Sequence, residues 1–231
     1  MDYFIEKDNK FRTPLLVCKI VYILTAIAVT VIGIIHKSTY EALLAVSTLV
    51  LFPGIYLFRR ISKYKGGYQL EFFIYIFSLL SWSLGGAAEL YACIPHYDKI
   101  IHFLSGIFVS VIALTLFELF ERGRDKAGCA EGCVFVFSAS MAVAGIFELC
   151  EFVLSHITKR DLQRVEFSGV TDTMGDMFVC MLGTLIIIFF MIRAYRGKHD
   201  FFTDAAIAFA YQNPKRNRKD DKKQKISHKN K

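Results

Sequence analysis

Residues 169–192 read GVTDTMGDMFVCMLGTLIIIFFMI: two aspartates four apart, Asp172 and Asp176, stand directly before a long run without a charge. Extended by its flanks, such a run reaches the ~20 residues an α-helix needs to cross ~30 Å of hydrocarbon. Five more runs of this character lie upstream, at 15–35, 42–58, 70–94, 100–120 and 133–154. The chain has 231 residues, 54% of them hydrophobic, with a mean hydropathy of +0.40. Its apolar residues are gathered into these runs, whereas an ordinary soluble domain disperses them. The expected fold is all-α, a polytopic membrane bundle of about six transmembrane helices. The first run is longer than the apolar core of a signal peptide and is followed by no small-residue cleavage pattern, so it reads as a retained helix. Lys19, inside that run, is expected to extend its stem to the membrane interface.

Lysine and arginine placement sets the expected orientation. The N-terminal segment carries Lys7, Lys10 and Arg12; the 2–3 loop carries Arg59, Arg60, Lys63 and Lys65; the 4–5 loop carries Arg122, Arg124 and Lys126. The 1–2 and 3–4 loops have one each, Lys37 and Lys99. This bias places both termini in the cytoplasm. The 5–6 loop departs from it, with Lys159, Arg160 and Arg164 on the side expected to face out. The organisation is a cytoplasmic segment at 1–12, a six-helix membrane domain at 13–196 and a basic cytoplasmic tail at 197–231, expected to be disordered from about 213. Within that tail, FFTDAAIAFAY (201–211) suits a short interfacial helix.

The formal net charge of +7 is not a nucleic-acid footprint, because nine Lys/Arg from Lys215 onward account for it. A basic tail beside a membrane is attracted instead to anionic lipid headgroups. The six cysteines fall within or beside the runs, and Cys129 and Cys133 have no second pair to complete a thiolate zinc site.

Charged residues at membrane depth cost ~2.5–3.5 kcal/mol on insertion scales, so each one proposes a function. Helix 4 starts HYDKIIHFLSG, with Asp98 and His102; helix 5 ends GIFELCEFVLSH, with Glu148 and Glu151; helix 6 starts with Asp172 and Asp176. The expected topology brings all of them to the outer side. Asp98 with His102 and Asp172 with Asp176 are i,i+4 pairs, and Glu148 with Glu151 is an i,i+3 pair, so each pair shares a helix face. Five carboxylates around one imidazole cannot all be ionised in a low-dielectric site without a counter-charge. Protonation, a divalent cation, or Lys159, Arg160 and Arg164 folding back would each supply relief. Oxygen ligands with imidazole suit Zn, Mn, Mg or Fe. Whether Glu89 joins the cluster stays open.

The motifs YDKIIHFLSG, GIFELCEF and GVTDTMGDMFVCMLGTL, in that order, resemble those of the YjdF-type bacterial membrane proteins, a family of unknown function. They are distantly similar to the VanZ-like proteins. The resemblance covers roughly residues 70–195, and helices 1 and 2 add nothing to it. It implies a multi-pass protein of the bacterial cytoplasmic membrane in which Asp98, His102, Glu148, Glu151, Asp172 and Asp176 form the functional set.

Three functional classes follow. The first is a metal-dependent enzyme acting on a lipid-linked or envelope substrate. In it His102, Glu148, Glu151, Asp172 and Asp176 hold the ion, Asp98, His102 and Glu148 serve the chemistry, and Arg160 and Arg164 receive an anion such as phosphate. Asp98 is expected to fix the His102 tautomer. The second is an ion- or proton-coupled transporter, which the absence of an internal repeat disfavours. The third is an accessory membrane protein whose polar cluster only specifies helix packing.

Overall fold

In the computed structural model the described residues are 2–36, 45–88, 90–121, 128–159, 161, 163 and 169–213. Arg160, Arg164, Glu89, the 4–5 loop cations and the tail from 214 lie outside them. Among the described residues every regular element is helical. The elements are α1 (Asp2–Asn9), α2 (Arg12–Ile35), α3 (Leu51–Ser62), α4 (Tyr68–Ser78), α5 (Leu90–Cys93), α6 (Tyr97–Glu121), α7 (Cys129–Thr158), α8 (Thr171–Tyr195) and α9 (Thr203–Gln212). Among the described residues six segments are long and apolar enough to cross a membrane: Asp2–Ile35, Ala45–Ser62, Tyr68–Ala87, Tyr97–Glu121, Cys129–Thr158 and Thr171–Tyr195. They correspond one to one with the apolar runs.

Burial explains how each helix sits. On α2 the buried residues are Leu15, Cys18, Tyr22, Ala26, Val29 and Gly33, a three-four spacing that draws one stripe down the helix. Leu16, Ile20, Leu24, Ile27 and Ile34, on its other faces, are exposed and apolar, as a lipid-facing surface requires. The stripe packs against α4, where Tyr22 and Tyr75 meet edge to face at 5.7 Å. The Tyr22 hydroxyl donates to the Thr48 carbonyl at 3.0 Å and ties in the second span. No residue of α3 is buried, so that helix flanks the bundle. The Lys19 stem runs toward the start of α4, where its Nζ lies 2.5 Å from Glu71 Oε1. A carboxylate there gives the half-buried ammonium a charge-assisted partner.

The centre is the trio α6, α7 and α8. Helices α6 and α8 touch backbone to backbone, because a Cβ on Gly106 would lie 2.0 Å from the Cys180 carbonyl oxygen, and one on Gly183 would lie 2.2 Å from the Phe103 carbonyl oxygen. Small residues permit this close crossing in the absence of a hydrophobic driving force between helices. Between α8 and α7, Ser140 and Thr184 share a buried hydrogen bond at 2.8 Å.

Two further features concern the end of the bundle where α1 and α9 lie. Residues 2–9 form a helix, and α9 is buried within the fold, with Ala205, Ala206, Ala208 and Ala210 in the interior. The helix expected over 201–211 is present, packed against α6, α4 and α1. Its alanines bring the backbone close, and its aromatics Phe202 and Phe209 join the core. Asp8 is the joint of this end, only 1% exposed. Its carboxylate accepts from the Gly67 and Gln69 amides at 2.9 Å each, capping α4, and from Gln212 Nε2 at 2.8 Å. Beside it, Lys7 Nζ pairs with the buried Asp204 at 2.7 Å. Asp8→Ala orphans two amide donors and a side-chain amide at once. Thermal unfolding in detergent should show a loss of about 2–3 kcal/mol, at the upper end for an unmade buried bond. A midpoint equal to wild type would refute the capping role.

The third span changes its winding along its length. After Ser78 it continues as a π-helix over Leu79–Ala87, LLSWSLGGA, with the Ala88 amide on the Ser83 carbonyl at 3.0 Å. Wider turns of this kind recur beside functional sites. Here the segment leads directly to α5 and the start of α6. The Leu80 carbonyl takes the Tyr97 hydroxyl at 2.8 Å, fixing the first turn of α6. Gly85 leaves space for the Tyr91 ring, which a Cβ would meet at 2.6 Å.

Candidate functional site

At the end of the bundle opposite α1 and α9, the beginnings of α6 and α8 meet the last part of α7. His102 is buried, and its Nε2 faces three carboxylate oxygens: Asp98 Oδ1 at 3.6 Å, Glu148 Oε1 at 4.0 Å and Asp176 Oδ1 at 4.0 Å. These separations exceed a hydrogen bond. Glu148 and Asp176 are 5% and 2% exposed, and the two oxygens they aim at His102, Oε1 and Oδ1, have no hydrogen-bond partner among the described residues. Asp98, His102 and Asp176 each offer a ligand atom within 4.8 Å of the others. Phe147 closes one side, its ring edge-on to the imidazole at 5.6 Å.

The i,i+4 spacing acts as expected for Asp98 and His102, which share one face of α6. Asp98, however, addresses the same imidazole nitrogen as Glu148 and Asp176. It stands as a fellow of those carboxylates around that nitrogen. Asp172 and Asp176 also share a face, yet their common neighbour is a cation from α6. Lys99 Nζ lies 2.6 Å from Asp172 Oδ1 and 2.8 Å from Asp176 Oδ2. Asp176 therefore bridges, with one oxygen on Lys99 and the other turned to His102. Gly175 makes room for the lysine stem, which a Cβ would meet at 3.3 Å.

Glu151 lies one turn beyond Glu148, partly buried, and is not within ion-pair distance of His102. Three residues advance an α-helix by some 300°, so the second glutamate of an i,i+3 pair is swung to one side. Of the cations expected to fold over the site, Lys159 is exposed in a left-handed turn at φ 57°, and Arg160 and Arg164 lie outside the described residues.

Three participants were not anticipated. Lys99 is the first, and it stood in the quoted motif beside Asp98, where a basic residue at a helix start among acids is a sign of internal neutralisation. Gln163 is the second: its Nε2 donates to the Glu148 carbonyl at 3.2 Å and to Thr173 Oγ1 at 3.3 Å, linking α7 to α8. Tyr91 on α5 is the third. Burial pushes its phenol above the usual tyrosine range, and the anions of Asp98, Tyr97, Glu151 and Asp176 push the same way. Its proton is thus retained at neutral pH. The ring meets Tyr97 edge to face at 5.4 Å. No sequence signal marks Gln163 or Tyr91, since each reaches the site through loop and short-helix geometry.

Nothing among curated proteins or solved structures matches the chain. A family does match, over residues 17–197, and the match agrees with the YjdF-type resemblance. It also extends that resemblance, because the family pattern starts within α2 and takes in the first two spans, which the three motifs had left out. With six apolar helices and this match, the chain belongs to the family described as "Predicted membrane protein (DUF2238)".

Proposed function

We propose that the cluster binds a divalent metal ion through His102, Asp98, Glu148 and Asp176, and that the protein is a metal-dependent membrane enzyme. The observation that carries this reading is the pair of buried oxygens, Glu148 Oε1 and Asp176 Oδ1, both facing His102 Nε2 and without a hydrogen-bond partner among the described residues. A buried carboxylate oxygen without a partner is costly, and several converging on one imidazole point to an ion between them. The nitrogen–oxygen separations of 3.6–4.0 Å are slightly wider than the roughly 3.4 Å expected between ligands of a tetrahedral site with ~2.1 Å bonds. Asp98, His102 and Asp176 bring ligand atoms within 4.8 Å of one another, and Glu148, outside that trio, must swing further to join them.

Charge supports the same reading. Of the carboxylates Asp98, Glu148, Glu151, Asp172 and Asp176, only Asp172 and Asp176 pair with Lys99 among the described residues, and a dication would offset much of the remainder. When bound, such an ion supplies Lewis acidity toward a carbonyl or phosphoryl oxygen. Glu151, clear of His102, is placed to accept and return a proton, and Tyr91 retains its proton as a donor. With the orientation given by the positive-inside rule, the site faces the outer side of the bacterial cytoplasmic membrane, where a lipid-linked or other envelope substrate is its natural reactant.

Lys99 favours a second reading, in which the charges merely lock α6 to α8 as a packing device. Metal content separates the two. Plasma mass spectrometry of the detergent-purified protein, after dialysis against Mn and Mg, should find stoichiometric metal in wild type and its loss in both His102→Ala and Asp176→Asn. Metal unchanged in both variants, or none in wild type, overturns the proposal, and the latter leaves the packing device.

A further inference from the structure

A second charged site lies at the opposite end of the bundle, between α2, α3 and α4. Lys19 of α2 and Arg59 of α3 converge on Glu71 of α4, with Lys19 Nζ 2.5 Å from Oε1 and Arg59 Nη2 2.5 Å from Oε2. All three line a cavity of about 560 Å³ whose walls include Phe52, Ile55 and Tyr75. That volume is within the range of small-ligand sites. Two cations on one carboxylate leave a positive charge in excess. The anion is the inner partner, its side chain 8% exposed, while those of Lys19 and Arg59 are 29% and 31% exposed. Arg59 uses a single nitrogen, Nη2, for both Glu71 and the Gly66 carbonyl. Its fork keeps further donors on Nε and Nη1.

We propose that this groove binds an anionic phospholipid. Its headgroup phosphate would sit against Lys19 and Arg59, and the start of one acyl chain would lie along Phe52, Ile55 and Tyr75. Charge complementarity selects the headgroup. The apolar walls select a lipid over a soluble anion, and α3, with no buried residue, leaves the groove continuous with the bilayer. Planar guanidinium is suited to phosphate oxygens, and an ammonium adds a point charge beside it. Glu71 tunes the site: it holds both cations in place and limits their joint charge. This site is independent of the cluster around His102.

The test is native mass spectrometry of the full chain in detergent, titrated with phosphatidylglycerol and, separately, with phosphatidylcholine of the same chains. Wild type should retain phosphatidylglycerol in preference. Lys19→Gln should weaken that retention roughly fivefold, the worth of one cation beside an anionic surface. Glu71→Gln should strengthen it, since it removes the competing anion. Opposite movements distinguish a binding site from a merely structural ion pair, which both changes would harm alike. Ile55→Trp, which narrows the groove and leaves all three charges in place, should lower retention of both lipids and serves if a charge variant fails to fold. Equal retention of the two lipids by wild type, or retention unmoved in Ile55→Trp and Lys19→Gln, overturns the proposal. So does displacement of the lipid by millimolar glycerol phosphate, which would make the occupant a soluble phosphate.

Discussion

Gly183→Leu should yield no correctly folded bundle. The Cβ alone would stand 2.2 Å from the Phe103 carbonyl oxygen and 3.1 Å from the Ile107 amide nitrogen, both backbone atoms of α6. Backbone in mid-helix cannot swing aside as a side chain does, so α6 and α8 must separate. Replacing glycine in a helix gains about 1 kcal/mol of intrinsic propensity. Overpacking costs ~1–3 kcal/mol even where neighbouring side chains can adjust, and more where they cannot. The clash therefore dominates. The reciprocal contact at Gly106 would be lost with it, as would the packing on which membrane helices depend. Separation would also draw Asp176 away from His102, so any protein that survives should bind no metal at the site. The measurement is size-exclusion behaviour and thermal midpoint of the detergent-solubilised variant. A monodisperse peak with the wild-type midpoint would show that the two helices do not cross as described.

Lys99→Met should be the most damaging single change among the charged groups. It removes the cation that lies within 2.8 Å of both Asp172 and Asp176, and Asp176 is almost fully enclosed. Breaking a buried ion pair from one side costs ~3–5 kcal/mol, because the surviving charge stays without a partner. The variant should accordingly melt far below wild type in a chelating buffer. A divalent cation can then take over the lysine's role. At a hundred times its dissociation constant a ligand returns ~2.7 kcal/mol, so added Mn should recover a large part of the loss in Lys99→Met. In wild type, where Lys99 already offsets part of the charge, the gain should be smaller. A variant as stable as wild type in the chelator would mean that the lysine contributes nothing there. A variant that is unstable and unmoved by Mn would support the packing device over the metal site.

The spans were legible because hydrophobic length is a local property. Each apolar run is its own signal, and no tertiary contact is needed to read it. The same holds for the i,i+4 pairs, whose geometry lies within one helix. Convergence of Asp98, His102, Glu148 and Asp176 followed from counting which helix ends share a side of the membrane. What stayed hidden depends on how helices rotate against each other. Glu148 and Glu151 are adjacent on α7, yet only the former meets His102, and nothing in the local spacing decides between them. Lys99 was counted as a loop charge because its side chain crosses to another helix. Asp8, in a polar segment ahead of the first span, gave no sign that it caps a helix some sixty residues on. The buried alanines of α9 likewise read as surface, since their partners come from three distant elements.

The bond between Asp8 and Gln212 joins residues 204 positions apart. Its meaning changes when the chain is considered in the order in which a ribosome releases it. The first helix leaves the exit tunnel early, but the helix that completes its setting emerges only after all six spans have been made. Until then Asp8 can cap α4, while Lys7 waits for Asp204 and the core face of α6 that α9 covers stays open. Non-local closure of this kind is slow, because the ordering cost comes long before the contact that offsets it. The contact between α1 and α9 is thus made only after the six spans that separate them in the chain.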